Sequence, residues 1–327
     1  MLLSVSVLIP TYNYAERITE AIESVLIQSY PSSLIEIIVV DDGSTDNTRE
    51  VLDHLISNEI IKYHYQINKG KASATTKAIS ESKGRIIFCL DADDLFLPDK
   101  IKKTVQIFET NPNVVHVSTP ALIKYKNGNS TKEKIPEFLL DQTNIGLAVL
   151  NYFFRNNMLF GGGSTFSCID SVIKNAVIPD AVNMYIDELL VILALNKGDT
   201  HFISEPLSIW NVHDQNYSVY RSNDYNQIQK NKSLLASSKT ILAYLNMINI
   251  EANLKKLYFL KHQVRLIHLA EIENKKSFKK VVILFINCFL YKIYPFSVYC
   301  RYKIFNRFIP TFLIRIIKNV KFKNNLA

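Results

Sequence analysis

Glycine is scarce. The chain of 327 residues holds nine, all at or before Gly198, less than half the ~7% of an average protein. A collagen-like chain is excluded, and each remaining glycine is expected where the backbone needs one. Cysteine is sparse too. Cys89, Cys168, Cys288 and Cys300 form no CxxC pair, which argues against a disulfide scaffold and a cysteine-zinc site and fits a reducing compartment. No GxGxxG follows the first apolar run, which ends in Pro10-Thr11-Tyr12-Asn13, and no GxxxxGK[ST] occurs. A dinucleotide-dependent dehydrogenase, a P-loop enzyme and a nucleotidyltransferase with a Gly-rich phosphate loop are all disfavoured.

Acidic residues are missing from the C-terminus. Residues 274–327 carry 12 of the 38 Lys and Arg and no Asp or Glu, which leaves 26 basic against 30 acidic residues over 1–273, a net −4. A slightly acidic body with a basic tail argues against a uniform nucleic-acid-binding surface and for a tail that meets an anionic surface. Long apolar runs are absent as well. Residues 281–291 are uncharged, Lys292 interrupts, and 293–300 follow with Pro295 inside. A membrane span needs ~20 apolar residues. Two readings stay open. The tail forms helices lying in a membrane interface, with Phe285, Phe289, Tyr291, Tyr294, Phe296, Tyr299 and Tyr302 at the boundary, or it is a helical subdomain packed on the body or on another subunit. Residues 1–10 have no basic n-region or cleavage-like site, so no secretory signal is expected.

What is present is a folded chain, with 48% hydrophobic and 21% charged residues. Apolar, β-branched runs at 4–10, 35–40, 60–65, 85–90 and 114–118 read as strands. Helical spacing fills 18–26, 51–56, 72–82 and 99–109, with Thr45 or Asp46 placed to cap the second helix. This βαβ rhythm predicts an α/β domain with an open, twisted, mostly parallel sheet. Residues 124–134 read as a loop or hairpin, 144–154 and 187–195 as helices, and the glycine-free stretch after Ser218 as helical. A boundary near 220 divides residues 1–220 from a helical, basic 221–327.

Function in such sheets sits at the carboxyl ends of the strands, and acidic clusters fall there. Asp41-Asp42-Gly43-Ser44 follows the second strand. It suits either a nucleobase or ribose contact or an ordinary acidic turn. Asp91-Ala92-Asp93-Asp94 follows the fourth. Two like charges ~4 Å apart cost about 1–4 kcal/mol, and a hard cation such as Mg²⁺ or Mn²⁺ removes that cost.

Taken in order, Val7 to Asn13, Ser24 to Tyr30, Val39 to Asp46, Asn68-Lys69-Gly70 and Leu90 to Asp94 followed by Pro98-Asp99 resemble family 2 glycosyltransferases of the GT-A fold. The resemblance covers residues 3–120 strongly and 160–220 weakly. It implies inverting transfer of a sugar from a nucleotide-sugar donor. Asp42 would contact the base, with Pro10, Thr11 and Tyr12 lining the same pocket. Asp91 and Asp93, flanking Ala92, match the DxD motif that holds the divalent cation and the donor ribose or diphosphate, with Asp94 assisting. The general base would be Asp187, with Glu188 as its rival, and Gly161-Gly162-Gly163-Ser164 lies upstream of it as in the family. His213 matches a late histidine that meets the metal or the diphosphate.

The pattern departs in two places. The glutamate that usually precedes the base is Ile186. The arginine that often meets the donor is absent from Ala74-Thr75-Thr76-Lys77-Ala78, so Lys71 or Lys77 would substitute without a bidentate fork; UDP-sugar is a default only. The expectation is a metal-dependent enzyme of cell-surface polysaccharide biosynthesis (capsule, exopolysaccharide or lipopolysaccharide). It would act at the inner face of the membrane on a glycan or lipid-linked acceptor, with no nucleic-acid partner and an open oligomeric state. The rival expectations are a non-catalytic binding or assembly subunit on the same fold and a retaining transferase.

Overall fold

A computed structural model describes residues 2–156, 158–213, 216, 224–273, 275 and 278–290. The elements in chain order are β1 (Val5–Thr11), α1 (Ile18–Leu26), β2 (Ile35–Asp41), α2 (Thr48–Ser57), β3 (Lys62–Tyr65), α3 (Lys71–Glu81), β4 (Ile86–Cys89), β5 (Leu95–Phe96), α4 (Lys100–Thr110), β6 (Val114–Ser118), β7 (Ala121–Tyr125), β8 (Ser130–Lys132), β9 (Thr143–Asn144), α5 (Gly146–Asn156), β10 (Ser167–Ile169), α6 (Asp170–Ile173), α7 (Ile186–Lys197), β11 (Asp199–Phe202), β12 (Ser208–Val212), α8 (Asp224–Met247), α9 (Ala252–Ile272) and α10 (Phe278–Leu290).

The main sheet runs β3-β2-β1-β4-β10-β6-β11-β9. Strands β3, β2, β1 and β4 are parallel. Strand β10 enters between β4 and β6 antiparallel to both, and β11 rejoins β6 in parallel. The sheet is therefore mixed, and β10 at only three residues was too short to leave a sequence signal. A smaller sheet, β5-β12-β7-β8, stands beside it. The polar stretch 124–134, read as a loop or hairpin, is a hairpin: the antiparallel β7–β8 pair, with β7 starting earlier, at Ala121.

Strands β1, β2 and β4 are apolar at consecutive positions because both their faces are covered. Leu8, Ile38, Val40, Ile87 and Cys89 face one core with α3, α5, α7, α8 and α9. Val7, Ile9, Ile37, Val39, Ile86 and Phe88 face another with α1, α2 and α4. Helix α7 is buried almost all round, from Ile186 to Leu195 except Asp187, and its near-continuous apolar sequence follows from that. The boundary expected near residue 220 lies outside the described residues. On its two sides the first core is continuous, since Leu8 and Phe154 belong to the same cluster as Ile241, Tyr258 and Leu284.

The chain winds outward from β1 through β2 to β3, then returns to place β4 on the other side of β1. That reversal opens a crevice at the carboxyl ends of β1 and β4. No described helix is long and apolar enough to cross a membrane. Residues 291–302, with five of the expected boundary aromatics and Pro295, lie outside the described residues.

Candidate active site

The crevice is walled by turns that tie one another down. Asn13, at φ +58°, accepts the N–H of Thr45 at 2.7 Å and donates its own to Ser44 Oγ at 2.9 Å. Asp46 accepts the Thr48 N–H at 3.0 Å. The helix begins at Thr48 with Asn47 as its N-cap and no side-chain capping bond from it, so neither Thr45 nor Asp46 holds the expected cap position; Asp46 instead takes the first helical N–H from just outside. Asp41 accepts from Ser44 N–H and Tyr63 OH. Asp42, 3% exposed, accepts from Gln66 Nε2 at 2.7 Å and from the Lys69 and Gly70 N–H groups at 2.9 and 2.7 Å. Its carboxylate organises the 68–70 turn, and both its oxygens already have protein donors. Beside it, Pro10 is half-buried, Tyr12 is 44% exposed, and Thr11 is buried with a hydroxyl that finds no partner among the described residues.

Gly70 starts α3 with φ +93°, and a Cβ there would come within 2.5 Å of Asn183 Nδ2. Asn183 in turn accepts the Ala72 N–H at 3.1 Å, which satisfies one orphan donor of the helix start. That tie brings the α3 terminus to the α7 terminus. Lys71 then reaches both acidic groups. Its Nζ lies 2.8 Å from Asp91 Oδ1 and 3.2 Å from Asp187 Oδ2. Burial pushes the ammonium down, but Asp187 and Asp91 together raise it well above the ordinary lysine value. Lys77, the other candidate, pairs with Glu81 on the exposed face of α3 and stays away from the site.

Asp91, Asp93 and Asp94 each offer an oxygen within 4.8 Å of the others. Asp94 accepts from Ser164 Oγ at 2.5 Å and from the Asn211 N–H at 3.2 Å. Asp93 accepts from Asn216 Nδ2 at 2.8 Å and meets His213 Nε2 at 3.0 Å; Tyr14 lies beside it, edge-on to the His213 ring, and its hydroxyl is pushed up by burial and by Asp93. Burial raises the carboxyl of Asp93, with Asp91 adding and His213 opposing. Burial likewise raises Asp94 well above the ordinary range, with Asp91 and Asp93 adding. Three crowded, oxygen-only donors on one turn suit a hard divalent cation. Ala92 packs inward, 2% exposed.

Asp187 opens α7. Burial raises its carboxyl, and Lys71 holds it down against that. The Gly163 backbone favours its charged form as well. Its neighbour Glu188 turns into the core. Glu188 is 4% exposed and lies 3.1 Å from Lys261 Nζ and 2.9 Å from Arg265 Nη2. Burial opposes its charge, yet the two cations hold it down to about 2. It is withdrawn from the cleft, so the rival for the base role is a structural anchor for α9.

The residues expected from sequence thus converge, with Glu188 and Lys77 set apart. Ser164 belongs to the glycine turn singled out in the sequence, without its role as a brace; the other bracing partners Tyr14, Asn183, Asn211 and Asn216 were not foreseen, because a neutral side chain in a polar stretch carries no spacing signal. Asn211 and Asn216 do flank His213, and that proximity was the available hint. Asp214, Gln215, Tyr217 and Ser218, which follow His213 in the sequence, lie outside the described residues.

Comparison with known proteins adds to this geometry. The chain is 26% identical over 217 residues to poly-β-1,6-N-acetyl-D-glucosamine synthase of Staphylococcus epidermidis, a match covering 66% of this chain and 47% of that protein. The chain therefore spans about half the length of this relative. Among solved structures, Staphylococcus aureus TarS 1–349 in complex with UDP-GlcNAc superposes with a TM-score of 0.60 at 18% identity, covering 82% of this chain and 73% of that one. The mannosyltransferase PcManGT of Pyrobaculum calidifontis, in complex with GDP-Man and Mn²⁺, gives 0.55 at 18% identity, covering 91% and 83%. Both show the same fold. The model of glycosyl transferase family 2 matches residues 6–178, more than half of the sequence and every strand up to β10, and the chain belongs to that family.

Proposed function

We propose that the chain is an inverting hexosyltransferase that moves a sugar from a nucleotide-sugar to a hydroxyl of a growing cell-surface glycan or lipid-linked acceptor. The observation that carries this reading is the Lys71 bridge. One ammonium touches Asp91 of the aspartate cluster and Asp187 of α7. The groups for the leaving diphosphate and for the incoming hydroxyl therefore share one cleft.

Thr11, whose hydroxyl has no partner among the described residues, and exposed Tyr12 would receive the base, against a wall that Asp42 holds in place. Asp91 and Asp93, with Asp94 beside them, would hold Mn²⁺ or Mg²⁺. Such an ion stabilises negative charge on the departing diphosphate more in the transition state than in the ground state. His213, Asn216 and Tyr14 fix Asp93 for that task. Asp187 takes the proton of the acceptor hydroxyl, and its elevated carboxyl moves it toward the pH at which it works. Lys71 stands between the two, able to follow the diphosphate once the donor arrives. The names of the relatives make UDP-GlcNAc and GDP-Man the first donors to test.

The test is a thermal-shift panel of nucleotide-sugars with Mn²⁺, followed by release of nucleoside diphosphate. A donor at 100 times its Kd stabilises by about 2.7 kcal/mol. A panel in which no nucleotide-sugar shifts the protein rejects the reading.

The exposed apolar positions Val282, Ile283 and Ile286 on α10, beside exposed Lys279 and Lys280, support attachment of the C-terminal region to the inner face of an anionic membrane. Each basic residue near such a leaflet contributes about 1 kcal/mol. Deleting 275–327 is expected to release the protein from anionic liposomes; persistent binding rejects the tail as anchor.

A further inference from the structure

The turn at 161–164 touches both halves of the site. Gly162 and Gly163 lie against Asp187: a Cβ on Gly162 would come within 3.1 Å of Asp187 Cβ, and one on Gly163 within 4.0 Å of Asp187 Oδ2. Ser164 Oγ donates to Asp94 at 2.5 Å and accepts the Asp91 N–H at 3.0 Å. The entry to this turn is held by a side chain from the middle of the sheet.

His116 lies on β6, between β10 and β11, fully buried. Its Nε2 is 3.1 Å from the Gly161 carbonyl oxygen, and its Nδ1 is 2.7 Å from Oγ1 of Thr200, its partner on β11. A carbonyl only accepts, so Nε2 carries the proton, and Nδ1 accepts from the Thr200 hydroxyl. Burial pushes the imidazole down to about 4, which leaves the ring one proton at neutral pH. Phe166 and Phe202 flank the ring, with centroids at 5.1 and 6.0 Å. Gly161 has φ +87°, and a Cβ there would come within 2.8 Å of His116 Cε1. The glycine and the histidine are thus fitted to each other. An apolar ring would fill the slot between two phenylalanines without bringing a polar group into the core. What the histidine adds is a donor aimed at one backbone carbonyl of the site's turn.

We propose that His116 is a positioning residue for sugar transfer: through Gly161 it fixes the turn whose next residues set where Asp187 stands relative to Asp91 and Asp94. His116 touches no reactant itself. The proposal rests on the transferase reading above.

The test compares full-length His116→Phe, His116→Gln and Thr200→Val by steady-state release of nucleoside diphosphate with donor and acceptor present. His116→Phe is expected to lower kcat by roughly 10- to 100-fold, the scale of a misplaced catalytic group. Its donor KM and its thermal shift with Mn²⁺ stay near wild type, because Asn211, His213 and Asn216 still brace the aspartates. His116→Gln, whose amide can donate to the same carbonyl, restores most of kcat. Thr200→Val, which strips Nδ1 of its donor, lowers kcat by about fivefold, the scale of one hydrogen bond. Wild-type kcat in His116→Phe, or lower melting temperatures with kcat per folded molecule unchanged, overturns the proposal. If His116→Phe does not fold, Thr200→Val decides: a lowered kcat supports the role and an unchanged one overturns it. A wild-type protein that turns over no nucleotide-sugar fails the transferase reading and takes this proposal with it. An active wild type with indifferent variants fails only the role of His116.

Discussion

Asp187 and Glu188 are adjacent in sequence, and their surroundings are opposite. Asp187 belongs to a cluster where Asp91, Asp93, Asp94 and Asp187 share the cleft with Lys71 and His213. Charge there is uncompensated, and burial raises three of the carboxyls. Glu188 belongs to a closed group with Lys261 and Arg265, in which Arg265 also stacks over Tyr185 at 4.0 Å and donates to Tyr258 OH. Two cations hold one carboxylate there, well below its usual range. The first cluster gathers four carboxylates around one lysine and one histidine. The second sets one carboxylate between two cations of α9. Unbalanced charge, more than acidity itself, singles out the first cluster as the candidate site.

The largest effect is expected from breaking the unbalanced cluster. Asp93→Ala should reduce transfer by about a thousandfold or more, the scale of lost electrostatic stabilisation, and should abolish the Mn²⁺-dependent thermal shift. Activity that survives both this substitution and EDTA would refute metal dependence.

A smaller pair of effects separates the neighbours. Asp187→Asn should lower kcat by about 10²- to 10⁴-fold, the range of general-base catalysis, with donor KM and melting temperature near wild type. Glu188→Gln should do the reverse. It leaves Lys261 and Arg265 without their counter-charge, at a cost of about 3–5 kcal/mol in urea unfolding, while kcat per folded molecule is retained. The acid limb sharpens the contrast further. Glu188 falls from an ordinary 4.5 to about 2 on folding. Its stabilisation is therefore complete above about pH 4.5 and is lost as pH falls toward 2, a decline on the order of 1–3 kcal/mol. Glu188→Gln should flatten that limb; an unchanged slope would show that the ion group contributes nothing.

The sequence made the parallel half of the fold legible, because β1, β2 and β4 are buried on both faces and alternate with amphipathic helices. Strand β10 was not legible, since Ser167–Ile169 is a three-residue insertion between distant strands. The charged site residues were visible as acidic punctuation after strands. Their orientation was not. Nothing local distinguishes Asp187 from Glu188; a one-residue step along α7 turns one toward the cleft and the other toward a helix far along the chain. Lys71 and Lys77 divide for the same reason, since the first reaches Asp91 and Asp187 while the second pairs within its own helix. His116 was silent because its meaning depends on Gly161 and Thr200, 45 and 84 residues away.

The Glu188–Arg265 pair spans 77 residues, and this distance has a consequence for synthesis. As the nascent polypeptide leaves the ribosome, the acidic end of α7 emerges well before the cations that neutralise it. Until α9 arrives, a carboxylate and an apolar helix face wait in water or in the grip of a chaperone. Stalled chains released near residue 220 should accordingly be protease-sensitive and catalytically silent, although every aspartate of the cleft has already been translated.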